Sequence, residues 1–334
     1  MRLLLALALL TSAASAQSGG LVVLNKAEAT ASLVDLASGL VVATLPTGTG
    51  PHEVAVSPDG RTAVVSNYGD QTTVGASLTV LDLMERRVER TISTGAWERP
   101  HGLAFLSDDR LAVTAERDSA VVVVDLGAGR VISSAATGGG VSHMVALAPD
   151  GRHAYTANIG SGTVSRIDLD GGQPLTTAFV GPYTEAIAVR PDGSEVWAAS
   201  QETGRVVALD AETLAEVGAV TVTGRPIRIA FTPDARRVLV TSVESSTVTL
   251  LDADTRAVVG EVVLPITAET ANEAAASVPG SALPVGTAVA ADGGHAYVAM
   301  MGRNQVAEID LGTLAVTRWL DVGSMPDGIA VVSR

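Results

Sequence analysis

Three histidines occupy the same place in one recurring phrase: Pro51-His52-Glu53-Val54-Ala55-Val56, Pro100-His101-Gly102-Leu103-Ala104-Phe105 and Ser142-His143-Met144-Val145-Ala146-Leu147. A fourth copy, Thr184-Glu185-Ala186-Ile187-Ala188-Val189, puts a carboxylate there, and three later copies put Ile227, Val285 and Asp327 there. The next position adds Glu53 and Arg228. Neutral imidazoles from different strands can converge on one ion, with a carboxylate or water completing the shell. Three histidines with an open position are also a catalytic-zinc pattern, in which bound water is acidified and attacks a carbonyl. On that reading His52, His101 and His143 hold a divalent metal ion, Glu185 moves protons and Arg228 holds an anionic group. The competing reading is a repeat habit: each ring hydrogen-bonds a neighbouring backbone, and Glu185 pairs with Arg228. Cysteine is absent, which excludes disulfides, thiolate metal sites and a cysteine nucleophile.

These side chains meet only if the phrase recurs on a closed scaffold. Its shared alanine falls at 55, 104, 146, 188, 230, 288 and 330, with successive spacings of 49, 42, 42, 42, 58 and 42 residues. A base period of 42 residues fits a four-stranded propeller blade. Each phrase leads into a turn such as Ser57-Pro58-Asp59-Gly60, a β-branched run such as Ala63 to Asn67, a third run ending in aspartate, and a fourth run such as Val88 to Ile92. The run-terminating aspartates, Asp35, Asp82, Asp125, Asp168, Asp210, Asp252 and Asp310, are read as acceptors for the N–H groups of the turn that follows. Residues Leu21 to Leu24, Ala31 to Asp35 and Val41 to Leu45 match a second, third and fourth strand with no first, while Gly328 to Ser333 is a first strand with nothing after it. The expected fold is therefore all-β: a seven-bladed β-propeller of four-stranded blades, in which N-terminal and C-terminal strands share one blade and leave no open edge.

Segments such as Ala154-Tyr155-Thr156-Ala157-Asn158 and Ala296-Tyr297-Val298-Ala299, with the recurring Pro-Asp-Gly turns, resemble the YVTN family of bacterial β-propellers over essentially the whole mature chain. The resemblance implies the fold. It leaves the activity open, because the family includes exported proteins of undefined role, a branch that binds single-stranded DNA, and related propellers that are lactonases. The DNA role finds no matching residues, since Trp97, Trp197 and Trp319 are too few and too separated to form a stacking platform.

Met1-Arg2, the apolar run Leu3 to Leu10, and Ala14-Ser15-Ala16 before Gln17 have the order of a secretory signal. This predicts a signal peptide over 1–16, a single propeller domain over 17–334, a periplasmic or secreted location and no transmembrane segment after cleavage. A formal charge of −14 disfavours nucleic acid and anionic lipid as partners. No phosphate loop, dinucleotide fingerprint or nucleophile elbow appears, and Gly138-Gly139-Gly140 reads as a turn between blades.

Two insertions mark one rim. The long spacing comes from residues 265–284, whose Thr267 to Ser277 portion has the composition of a short helix, and the 49-residue spacing from residues near Tyr68 to Ser77. The expectation is a monomeric exported propeller that binds a small molecule, a metal ion or an envelope protein partner at the channel mouth. The alternative is a metal-assisted hydrolase of the lactonase or esterase kind, or a lyase or isomerase, with residues 265–284 excluding water. His153 and His295 follow the opposite turns and are expected at the other rim, in solvent.

Overall fold

Strands buried on both faces should read as nearly continuous apolar runs, and half-buried ones should alternate. Both kinds occur in each period. The middle strands Glu195–Ser200 and Thr247–Asp252 are buried almost throughout, whereas the outermost strand Gln173–Phe179 alternates exposed with half-buried residues. A computed structural model describes residues 19–333, so the signal peptide expected at 1–16 lies outside the described residues. It shows seven four-stranded antiparallel sheets. Successive innermost strands touch one another around a closed ring, from Pro51–Val56 through Pro284–Val289 to Pro326–Ser333 and back to Pro51–Val56.

We number the blades in chain order. Blade 1 is the shared one, with Pro326–Ser333 innermost, paired antiparallel to Gly19–Asn25, followed by Thr30–Asp35 and Leu40–Pro46. Blades 2 to 7 have innermost strands Pro51–Val56, Pro100–Ser107, Ser142–Leu147, Thr184–Val189, Pro226–Phe231 and Pro284–Val289. Seven large apolar clusters hold the ring, each built from two adjacent blades. The cluster of Val64, Leu78, Val80, Leu111, Val113 and Val122, for example, joins blades 2 and 3.

The aspartates at the ends of the third strands cap turns, as their positions predicted. Asp82 accepts from the N–H groups of Met84 and Glu85, Asp210 from Glu212 and Thr213, and Asp310 from Gly312 and Thr313. Asn67 and Asn158 also serve the fold: each donates to two hydroxyls on the next strand, Ser77 and Thr79 for Asn67, Thr163 and Ser165 for Asn158.

The long insert differs from its expected form. Only Glu273–Ser277 makes a short 3-10 turn, capped by Asn272, and the rest is loop. Among the described residues its hydrogen bonds run to blades 6 and 7: Asn272 to the Met301 carbonyl and to Asn304, Ser281 to the Val243 carbonyl, and Arg303 to the Pro265 carbonyl. It is anchored on blades 6 and 7, not on blades 2 to 4, which carry His52, His101 and His143.

Candidate functional site

The histidine position owes its aim to a repeated backbone irregularity. In every blade the pairing between first and second strands shifts register just after the first residue of the innermost strand, as between Ser142 and Met144 or Pro51 and Val54. A bulge of this kind leaves a residue outside the ladder and redirects its side chain. The residues set free are His52, His101, His143, Glu185, Ile227, Val285 and Asp327, so the structure gathers the predicted positions at one mouth.

A second ring lies beside the first. The residue after the second-strand partner of each innermost strand's first residue donates its N–H to the carbonyl of the residue preceding the innermost strand: Lys26 to Met325, Tyr68 to Gly50, Glu116 to Arg99, Ile159 to Val141, Gln201 to Tyr183, Val243 to Arg225 and Met301 to Leu283. Blades 1, 2, 3 and 5 therefore add Lys26, Tyr68, Glu116 and Gln201. Blades 6 and 7 are apolar at both rings, with Ile227 and Val285 packed against Val243 and Met301. Sequence reading missed the second ring. Its signal is positional, one residue after the partner of each innermost strand's first residue, and the residue types have nothing in common.

His101 sits at the centre of the polar sector. It is fully buried, and neither ring nitrogen has a hydrogen-bond partner. The His143 ring lies over it at a centroid distance of 3.7 Å, and the His52 and Tyr68 rings meet it edge-on at 4.4 and 5.5 Å. Gly102 permits this approach, because a Cβ there would stand 2.7 Å from the Val145 nitrogen and 2.9 Å from the Met144 Cα. Thr114 stitches the two blades, accepting from the Gly102 N–H at 2.8 Å and donating to the His143 carbonyl at 2.7 Å. Burial, and then the neighbouring positive charges of His143, His52, Arg228 and Lys26, hold His101 well below the usual imidazole range, so it is neutral.

His143 is the opposite case. Its Nδ1 lies 3.0 Å from Glu116 and its Nε2 3.5 Å from Glu185. Burial disfavours its charged form, but the hydrogen bonds and charges of the two carboxylates outweigh that and raise it to about 9. Glu185 likewise resists the upward push of burial and is held at about 2 by His143 and Arg228. Tyr68 donates to Glu116 at 2.9 Å, and its hydroxyl is pushed up to about 12, first by burial and then by the Glu116 charge.

Two further groups flank this centre. His52 Nδ1 lies 2.8 Å from Asp327 and 2.6 Å from Lys26 Nζ, and Lys26 also donates to Asp327 at 3.0 Å. Arg228 is clamped: it donates to Glu185 at 2.8 Å, to its neighbour's carbonyl at 2.7 Å, and to Glu53. The Glu185–Arg228 ion pair weighed from the sequence is thus present. It engages both residues with each other: Arg228 donates from both terminal nitrogens to protein acceptors while its Nε has no partner, and Glu185 is stabilised as a carboxylate.

The grouping with metal-ligand spacing is His101, Glu116 and His143, whose ligand atoms all lie within 4.8 Å of one another. His52, expected to be the third ligand, is turned to Asp327, and Glu116 stands where a third ligand is needed. Two bonds of about 2.1 Å span about 4.2 Å at most, so the shell closes with a shift on the order of 0.5 Å. Charge points the same way. The carboxylates Glu53, Glu116, Glu185 and Asp327 face Lys26, Arg228 and the protonated His143, which leaves one negative charge unbalanced. A divalent ion that displaced the His143 proton would balance it. His153 and His295 stand at the opposite turns, beside Asp150 at 2.6 Å and Asp292 at 3.9 Å, half-buried against these carboxylates rather than free in solvent.

No family model and no curated protein matches the sequence. Solved structures do share the fold. Kuenenia stuttgartiensis hydrazine synthase superposes with a TM-score of 0.72 at 19% identity, covering 87% of this chain and 92% of that one. A functionally unknown protein from Desulfotomaculum acetoxidans DSM 771 superposes with a TM-score of 0.75 at 13% identity, covering 95% of this chain and 99% of that one. At such identities the likeness establishes the seven-bladed propeller and no shared activity.

Proposed function

We propose that this chain is an exported propeller of the YVTN type that binds a first-row divalent transition-metal ion at its channel mouth, on His101, Glu116 and His143. The observation that carries the reading is His101, a neutral imidazole without exposure and with both nitrogens unpartnered, set beside a second imidazole and a carboxylate. A buried polar group left unpaired costs about 1–3 kcal/mol, and coordination removes that cost. Two nitrogens and one oxygen suit zinc or iron(II) better than the all-oxygen preference of calcium or magnesium. Tyr68 and Glu185 would orient Glu116 and His143 from behind. The export half rests on the Met1-Arg2, Leu3–Leu10 and Ala14-Ser15-Ala16 leader.

Binding is favoured over hydrolysis as the role of this mouth. A general base works best with a value near the working pH, and Glu185 is held at about 2. The test is elemental analysis and zinc titration of tag-free protein, first stripped with a chelator. One equivalent is expected per chain, with His101→Ala and Glu116→Gln each losing it and His52→Ala keeping it. Absence of a stoichiometric ion, or retention of it in both ligand variants, overturns the reading.

A further inference from the structure

Beside the metal grouping, on the same rim, an open pocket of about 320 Å³ lies between blades 5 and 6, lined by Tyr183, Gln201, Glu202, Gly224, Arg225 and Glu244. That volume lies at the lower end of the range for small-molecule sites. Arg225, Glu202 and Glu244 share this lining, and none of the three joins an ion pair within 4.0 Å among the described residues. Some arginines elsewhere on this molecule do pair, as Arg152 does with Asp168 and Arg205 with Glu216, which shows the contact that Arg225 does not make. Opposite charges that line one cavity without pairing leave a gap that a molecule carrying both signs can fill.

The rest of the lining fits the same ligand. Tyr183 has a left-handed backbone, φ +53°, and as a residue it is 57% exposed at the pocket wall, available to an apolar or aromatic group. Gln201 forms the buried floor. Its amide donates to Glu185, and its carbonyl accepts from Arg225 at 2.5 Å, which steers the guanidinium while leaving its other donors for a carboxylate.

We propose that this cavity binds a small zwitterion of the α-amino-acid class, its carboxylate on Arg225, its ammonium between Glu202 and Glu244, and its side chain against Tyr183. The proposal does not rest on the metal reading. Gln201 nevertheless touches both the cavity and Glu185, so an occupant would share a wall with the metal centre.

The experiment is a ligand-observed NMR and calorimetric screen of the proteinogenic L-amino acids against the full chain. L-Phenylalanine is run beside N-acetyl-L-phenylalanine, which lacks the ammonium, and L-phenylalaninamide, which lacks the carboxylate. At least one free amino acid is expected to bind, each blocked form at least tenfold more weakly, with Arg225→Gln and Glu244→Gln each weakening the free form at least tenfold at unchanged melting temperature. Binding should persist in His101→Ala and in chelator-treated protein, which separates failure of this proposal from failure of the metal one. No binding at millimolar concentration, equal binding of the blocked forms, or indifference to Arg225→Gln overturns it.

Discussion

His101 and His143 are the same residue type on adjacent blades, their rings 3.7 Å apart, and their surroundings drive them in opposite directions. Burial without a hydrogen-bond partner keeps one neutral, while two carboxylates keep the other protonated. The consequence for stability is specific to metal-free protein. Because His143 is raised from 6.5 to about 9, its contribution is complete below pH 6.5 and is lost as pH climbs through about 9. Glu185 is depressed from 4.5 to about 2, so its contribution is complete above pH 4.5 and is lost as pH falls through about 2. Urea unfolding of chelator-treated protein should therefore show greatest stability between about pH 4.5 and 6.5, with the alkaline decline flattened in His143→Gln. A curve still rising from pH 6.5 to 9 would contradict the assignment.

Among the elements, the second-to-third connection of blade 2 stands out. Ten residues separate Asn67 from Ser77, where five separate Asn158 from Thr163 in blade 4. The added length places Tyr68 against His52 at 5.0 Å, under the Arg99 guanidinium, with its hydroxyl on Glu116. Replacing Tyr68 with phenylalanine keeps the ring and removes only the hold on Glu116. Zinc affinity is expected to fall about 10- to 100-fold with little change in melting temperature, as competition with a chromogenic chelator would measure. This scale also explains what could be read from sequence. The bulge ring was legible because its residues sit in a shared phrase with a fixed offset from Ala55, Ala104 and Ala146. Lys26, Glu116 and Gln201 were not, because they sit in short connections outside the shared phrase, with no common residue type and no apolar period to mark which way they point. The insert at 265–284 was legible as an insertion, but its seat on blades 6 and 7 depends on long-range contacts such as Ser281 to Val243.

For the whole molecule, the ring is closed by one pairing, Gly19–Asn25 against Pro326–Ser333. Ending the chain at Ser324 would expose Gly19–Asn25 as an unpaired edge, which is a template for association between copies. Light scattering should find the shortened protein oligomeric, and a synthetic peptide of residues 326–333 should return it toward monomer. A shortened chain that stayed monomeric and melted like the full one would show that the closure is dispensable.

That closing strand carries more than hydrogen bonds. Asp327, kept ionised against burial by Lys26 and His52, comes from the strand that follows all others in the chain, while Lys26 comes from the blade's opposite contributor. The carboxylate that Lys26 and His52 share is thus supplied by the strand that shuts the ring, so the pairing that closes the fold and the contact that completes this side of the mouth are made by the same segment.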